Sequence, residues 1–424
     1  MLGELQMLEN VDEYMNRIGP IGEAYLSHRL LNKRAKTSLR IENLRQIASR
    51  LTAEDADSDN TDAYPQYIKR LTSILASTCS LPMKSILWDN GVLPALPTEA
   101  VKYEYMTAAV HMGKLSTVRE LSAQPRMLRF NNTTLSNPWL AAVRAENTAI
   151  VDLLLQQGSL DGESMTWNLH AMLQAASRAG SVKIVEHLLA SEFNPGLGHK
   201  REHPHFENFH NALATPSVEV FDILMRYKEN TLKNSMKQYS EKSARFAEMM
   251  APLIEAQSAP LTKAELAPLL YEAAANGWEN MASRLLDMGA PTDGIAYGGG
   301  SDGRQPLLAA CTSGSDGAVR ILLQRHAKIT GLEMEAAAKR GRIGTVRVLL
   351  EHGEDSNRGK TPPIVSAVKL EHMAMFHLLL EHGAKLDEAG RMAVDRARKK
   401  GLDSMLVLLG QHGVSVEPKP SAEN

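Results

Sequence analysis

The stretch NPWLAAVRAENTAIVDLLLQQG, from Asn137 to Gly158, decides the fold. It opens on a turn residue and then Pro138, and Pro at a first helical position gives up only an N–H that no helical bond would use. Ala141 and Ala142 follow as spacers, small enough for a neighbouring helix to lie close. After a short polar break, Ile150, Val151, Leu154 and Leu155 recur at helical spacing, so a second helix carries a single apolar stripe that Gly158 terminates. One such pair cannot bury that stripe alone and needs neighbours of its own kind.

The neighbours are in the chain. QPLLAACTSGSDGAVRILLQRH (Gln305 to His326) and PPIVSAVKLEHMAMFHLLLEHG (Pro362 to Gly383) follow the same order, with Pro306 and Pro363 in the place of Pro138. Ala309, Ala310, Ala337 and Ala338 are further spacers, Val346, Leu349 and Leu350 a further stripe, and Gly289, Gly353, Gly383 and Gly413 further stops. Copies start near Glu104, Asn137, Ala171, Glu207, Pro268, Gln305, Leu332, Pro362 and Met392, at intervals of 33, 34, 36, 61, 37, 27, 30 and 30 residues. That period belongs to helix-pair solenoids. The interval of 61 is close to two periods, so a further pair is expected within 227–263, with the amphipathic run Ser243 to Ala256 as one helix. ILWDNGV (Ile86 to Val92) reads as the end of another second helix, which puts a copy start near Arg70. The expectation is an all-α helix-pair solenoid of about nine to eleven degenerate repeats over 70–413, a helical N-terminal element over 1–67 and a disordered tail over 414–424.

This pattern resembles the ankyrin-repeat family. There a Thr-Pro-Leu-His stretch opens each repeat, and its Thr and His share hydrogen bonds that tie neighbours together. No copy here keeps all four residues: the His position reads Leu140, Gln174, His210, Leu308, Glu335, Val365 and Asp395, and His210 has Glu207 where the Thr would stand. The resemblance therefore implies the helix packing but not those hydrogen bonds. It also implies a monomeric interaction scaffold, with a protein partner lying on the concave face made by the first helices and the loops.

Composition narrows the alternatives. A formal net charge of -2 does not make the whole chain a polyanion binder, so any nucleic-acid contact is local. The two cysteines, Cys79 and Cys311, are too few for a disulfide framework. No run of apolar residues reaches the length of a membrane span, and the first residues are acidic rather than signal-like. A soluble protein of the cytoplasm or nucleus is expected, with no membrane contact and no cofactor.

Several short motifs invite chemistry. His199, His203, His205 and His210 crowd GHKREHPHFENFH with a spacing that could hold zinc, yet no cysteine is near and a projecting polar loop is the simpler reading, so no metal is expected. GGSDG (Gly299 to Gly303) has the form of a nucleophile elbow around Ser301 but lacks the preceding strand. GEDSNRGKT (Gly353 to Thr361) has one residue too many for a phosphate loop and sits in an inter-repeat turn. Ser27 to Arg50 holds seven Lys or Arg against one Glu, while Glu54 to Asp62 holds five acids and reads as a solvated loop. On one helix, Arg29, Lys33, Lys36 and Arg40 would form a cationic stripe able to follow a phosphate backbone, with Arg34, Arg45 and Arg50 nearby. A second basic run, Arg396, Arg398, Lys399 and Lys400, reads as a polar cap on an exposed solenoid end.

In general plan the chain is also similar to fungal arginine-containing cyclodipeptide synthases, which join aminoacyl groups from charged transfer RNA into diketopiperazines of secondary metabolism. That likeness implies transfer RNA held at Arg29, Lys33, Arg34, Lys36 and Arg40, and a proton taken from the attacking amine by His210 or Glu207. Glu335 and Asp395, at the repeat-histidine position, would pair a guanidinium. The scaffold ranks first and the synthase is its alternative.

Overall fold

Asn137 accepts a hydrogen bond from the backbone N–H of Trp139 at 2.8 Å and so caps a helix whose first residue is Pro138. That helix ends at Arg144, and after the turn the Asn147 side chain accepts from Ile150 N at 3.1 Å to start the next. Ala141, Ala142, Ile150, Val151, Leu154 and Leu155 are all fully buried. Each large side chain among them contributes about 1.5–3 kcal/mol by leaving water. Capping fixes where the pair begins, and the buried stripe fixes which way it faces.

The structure is a computed structural model and describes residues 20–32, 39–55, 63–78, 98–124, 135, 137–159, 165–190, 212–229, 260–294 and 305–416. These residues form helices and loops, with no strand among them. They belong to two compact units, Met1–Ala212 and Leu213–Asn424.

In the first unit, helices α1 (Pro20–Leu31), α2 (Leu39–Glu54) and α3 (Ala63–Thr78) pack on one another, and α2 also packs on α4 (Thr98–His111). Pairs then follow: α4 with α5 (Leu115–Ser122), α6 (Pro138–Arg144) with α7 (Thr148–Ser159), and α8 (Met165–Ala179) with α9 (Val182–Ala190). First helices α4, α6 and α8 stack in a row.

The second unit begins with a helix over residues 218–229, α10. It continues with α11 (Lys263–Asn276) and α12 (Glu279–Asp287), α13 (Pro306–Ser313) and α14 (Asp316–Gln324), and α15 (Glu333–Lys339) and α16 (Ile343–Glu351). The last pairs are α17 (Pro363–Lys369) with α18 (Met373–Glu381) and α19 (Asp387–Lys400) with α20 (Asp403–Gln411). Each first helix packs on the next from α11 to α19, and second helices α12 to α18 form a parallel row. The expected helix-pair solenoid is therefore the architecture, its core lying between the rows.

Some sequence expectations shift. The copy placed at Pro268 begins earlier, at Lys263, because Thr262 and Glu265 form a reciprocal capping box upstream. Helix α3 runs unbroken across the boundary expected at 67–70. The acidic tract is not simply solvated: Glu54 accepts from the Tyr105 hydroxyl and from Thr117 Oγ1 at 3.0 Å, while Asp55 is bound by Lys114 and the Tyr67 hydroxyl. An acid at a helix C-terminus opposes the helix dipole, and these donors from outside α2 offset that conflict. The hydrogen bonds from Lys114 and Tyr67 outweigh burial and hold the Asp55 carboxyl below its usual value. The remaining acids of the tract, the segments 86–92 and 243–256, the GGSDG motif and 417–424 lie outside the described residues.

Candidate functional site

The first helices of the last three repeats end alike. Gly341, Glu371 and Gly401 take left-handed φ angles of 69°, 53° and 67°, and the next residue's N–H reaches back to Ala337, Ala367 and Ala397, each at 2.9 Å. This shared ending places Lys339, Lys369 and Lys399 at one register, 30 residues apart, on helices that stack in order. All three are exposed, as are Arg340, Arg396 and Lys400 beside them. Lys339 bridges to Glu335 at 2.6 Å. Among the described residues, Arg340, Lys369, Arg396, Lys399 and Lys400 have no side-chain hydrogen-bond or ion-pair partner. Leu370 and Met373, 37% and 48% exposed, lie next to these cations in the chain.

The row of second helices is different, because several of its charges are paired across repeats. His187 meets Asp152 at 2.7 Å, Arg284 meets Asp222 at 3.2 Å, Arg325 meets Asp287 at 2.5 Å and Arg320 meets Glu351 at 3.0 Å. The basic run expected as a polar cap is divided: Arg398 donates to the Val416 carbonyl, whereas Arg396, Lys399 and Lys400 face solvent.

Of the residues named for catalysis, Glu335 and Asp395 lie among the described residues. Glu335 is 6% exposed and is already occupied: besides Lys339 it accepts from the backbone N–H of Lys360 at 2.9 Å and of Thr361 at 3.3 Å. Gly359, at φ 128°, lets this loop come close, since a Cβ there would sit 3.0 Å from a Glu335 carboxylate oxygen. Burial works against ionisation of Glu335, but Lys339 and the two amides outweigh it and hold the carboxyl below its usual value. A worn repeat thus keeps an inter-repeat hydrogen bond with a carboxylate at the histidine position. Asp293 and Asn357 do similar work between loops, accepting from Lys328 N and Lys385 N, each at 2.7 Å. Asn357 lies in the segment that resembled a phosphate loop, which joins α16 to α17 as a turn. Asp395 is exposed on α19. His210, Glu207 and the other histidines of that cluster lie outside the described residues, and no group able to hold a metal occurs among the described ones. Burial pushes the Cys311 thiol up, with Glu333 adding to it, so this cysteine is not a poised nucleophile.

The basic N-terminal stripe does not share one helix. Helix α1 ends at Leu31 and α2 begins at Leu39, so Arg29 and Arg40, both half-buried, sit on different helices, and Lys33, Arg34 and Lys36 lie outside the described residues. Arg45 is 7% exposed and structural. Its guanidinium donates to the carbonyls of Leu30 at 3.0 Å, Arg29 at 2.8 Å and Asn32 at 2.7 Å, satisfying acceptors that the end of α1 leaves open. Arg50 lies over the Tyr105 ring, 5.7 Å from its centroid. Thr37 and Ser38 just before Leu39 are a helix-start signal that would have separated the two helices in sequence. The 30-residue spacing of Lys339, Lys369 and Lys399 is the corresponding signal for the exposed cations.

No protein-family model matches the chain. It is 24% identical over 311 residues to the Ankyrin repeat and KH domain-containing protein mask-1 of Caenorhabditis elegans, covering 66% of this chain and 12% of that protein. A Caenorhabditis briggsae protein, also named Ankyrin repeat and KH domain-containing, is 26% identical over 188 residues, covering 39% of this chain and 7% of its own length. The chain thus spans a small part of either relative. The crystal structure of the human ASB11 ankyrin repeat domain is similar at 25% identity with a TM-score of 0.32, over 36% of this chain and 72% of that one. No helix among the described residues is long and apolar enough to cross a membrane. With stacked helix pairs at a period near 33 residues, prolines opening first helices, left-handed turns closing them and similarity to proteins named for ankyrin repeats, the chain folds as an ankyrin-type helix-pair solenoid.

Proposed function

We propose that the chain is a protein-interaction scaffold whose concave face, made by the first helices and loops, takes a protein partner. One contrast supports this reading. Four ion pairs join second-helix row side chains of neighbouring repeats, whereas Arg340, Lys369, Arg396, Lys399 and Lys400, beside the exposed Leu370, are left without partners among the described residues. Side chains already paired gain little from a new contact, and unpaired ones next to apolar surface gain most.

The transfer-RNA-dependent synthase draws on fewer observations. Of its four residues, Glu335 is committed to Lys339 and to the loop of the next repeat, Asp395 is exposed on α19, and His210 and Glu207 lie outside the described residues.

The test is photo-crosslinking in cells from a benzoylphenylalanine placed at Leu332 or Leu370 on the first-helix side, or at Arg347 on a second helix, with small molecules from the same cells read by mass spectrometry. One protein adduct shared by the first two positions and missing from Arg347 is the expected result. Adducts from Arg347 alone, or a new arginine-containing diketopiperazine without protein adducts, would overturn it.

A further inference from the structure

We propose that Lys339, Lys369 and Lys399 are the rungs of a cationic ladder that receives an extended acidic segment of the partner, with carboxylates three residues apart. This deepens the scaffold reading and rests on it. Helices that pack side by side have axes about 8–10 Å apart. A peptide in the extended polyproline II conformation advances about 3.1 Å per residue with about three residues per turn, so it spans one repeat in about three residues and returns its side chain to the same face. The three lysines occupy the same position in successive repeats of equal length, and α15 packs on α17 and α17 on α19. A peptide crossing these helix ends therefore meets one rung at every third residue.

The rungs are able to bind. Lys369 and Lys399 carry unpartnered ammonium groups among the described residues, and Lys339 uses one of three donors on Glu335. Arg340, Arg396 and Lys400 widen the positive strip. Leu370 and Met373 give apolar contacts for the residues between carboxylates. The same surface suits a nucleic acid less well. Glu371, Asp395 and Asp403 are exposed among the cations, and a continuous phosphate chain would have to pass them, whereas a peptide can set neutral residues there.

Fluorescence anisotropy of the full chain separates these occupants. The probes are a peptide with glutamate at every third position and leucine or alanine between, an isomer of identical composition with glutamate at every second position, and a single-stranded RNA oligomer. The first peptide is expected to bind about tenfold more tightly than its isomer and than the RNA, a difference of about 1.4 kcal/mol. Lys369→Glu and Lys399→Glu should each erase that preference without changing the melting temperature. A peptide whose middle glutamate is replaced by lysine should recover affinity for the Lys369→Glu variant. Equal binding of the two isomers, tighter binding of the RNA, or absence of charge-swap recovery overturns the ladder. If crosslinks from Leu332 and Leu370 persist while the acidic peptide fails, the scaffold stands and the ladder alone is wrong; if both fail, the scaffold itself falls.

Discussion

Glu335 in the first helix of one repeat accepts a hydrogen bond from the backbone N–H of Lys360, 25 residues on, at 2.9 Å. It holds the loop that opens the next repeat, a task the ankyrin pattern gives to a histidine. Glu335→Ala leaves the amides of Lys360 and Thr361 without this acceptor and should cost about 1.5–3 kcal/mol, the range for hydrogen bonds to a charged group. Urea unfolding measures the cost, and hydrogen exchange should quicken first at Lys360 and Thr361. Because the folded carboxyl is held below its usual 4.5, its contribution is full above that pH and is lost as pH falls through the lower folded value. Glu335→Gln should remove this acid limb, and an unchanged acid limb in that variant would count against the assignment.

Leu350 lies in the last turn of the second helix α16 and is 7% exposed. Leu350→Ala should cost roughly 2 to 5 kcal/mol through the cavity it leaves. In a stack with nearest-neighbour contacts the damage stays local. Exchange should rise in α14, α16 and α18 well before α11 and α12; a uniform rise through 260–416 would contradict the nearest-neighbour picture.

Two glutamates occupy turns that elsewhere hold glycine: Glu146 at φ 49° and Glu371 at φ 53°. Left-handed backbone costs a residue with a Cβ about 1–2 kcal/mol. Both accept from a serine in the following repeat, Glu146 from Ser181 at 2.6 Å and Glu371 from Ser404 at only 3.4 Å. Glu371→Gly should therefore raise the melting temperature. Glu146→Gly should raise it less or lower it, since a short hydrogen bond is lost, and the reverse ranking in calorimetry would refute this account of the turns.

Burial, with Arg144 nearby, pushes His111 down from 6.5 to about 4. The folded state then binds fewer protons than the unfolded state between these values. Stability in this window falls as pH falls, because the unfolded chain gains the proton first. His111→Gln should flatten the stability profile between pH 6.5 and 4, and a profile as steep as the wild type would show that other groups carry it.

The helix pairs are legible in sequence because their determinants are local: Pro138 and Asn137 start a helix, Ile150, Val151, Leu154 and Leu155 fall within two turns, and an entire repeat fits in one reading window. Roles that depend on a partner in another element were not legible. Arg45 reads as one more cation of a basic run, and only the fold brings it 2.7 Å from Asn32 O at the end of α1. The one-helix stripe failed for the same reason, since where α1 stops is a matter of the last turn and its capping partners rather than of charge spacing.

By itself the sequence determined a stack of helix pairs, their order, and the residues that fill the space between the rows, because burying an apolar stripe at helical spacing leaves few alternatives. The tertiary structure decided which charges are consumed and which remain available. Glu335 and Asp395 stand at the same repeat position, yet one is buried against the amides of a following loop and the other is exposed on α19. Lys339, Lys369 and Lys399 differ in their neighbours along the chain, yet packing brings them to one register. Charge is encoded residue by residue, but pairing is set by distance in space, and that distance exists only once the repeats are stacked.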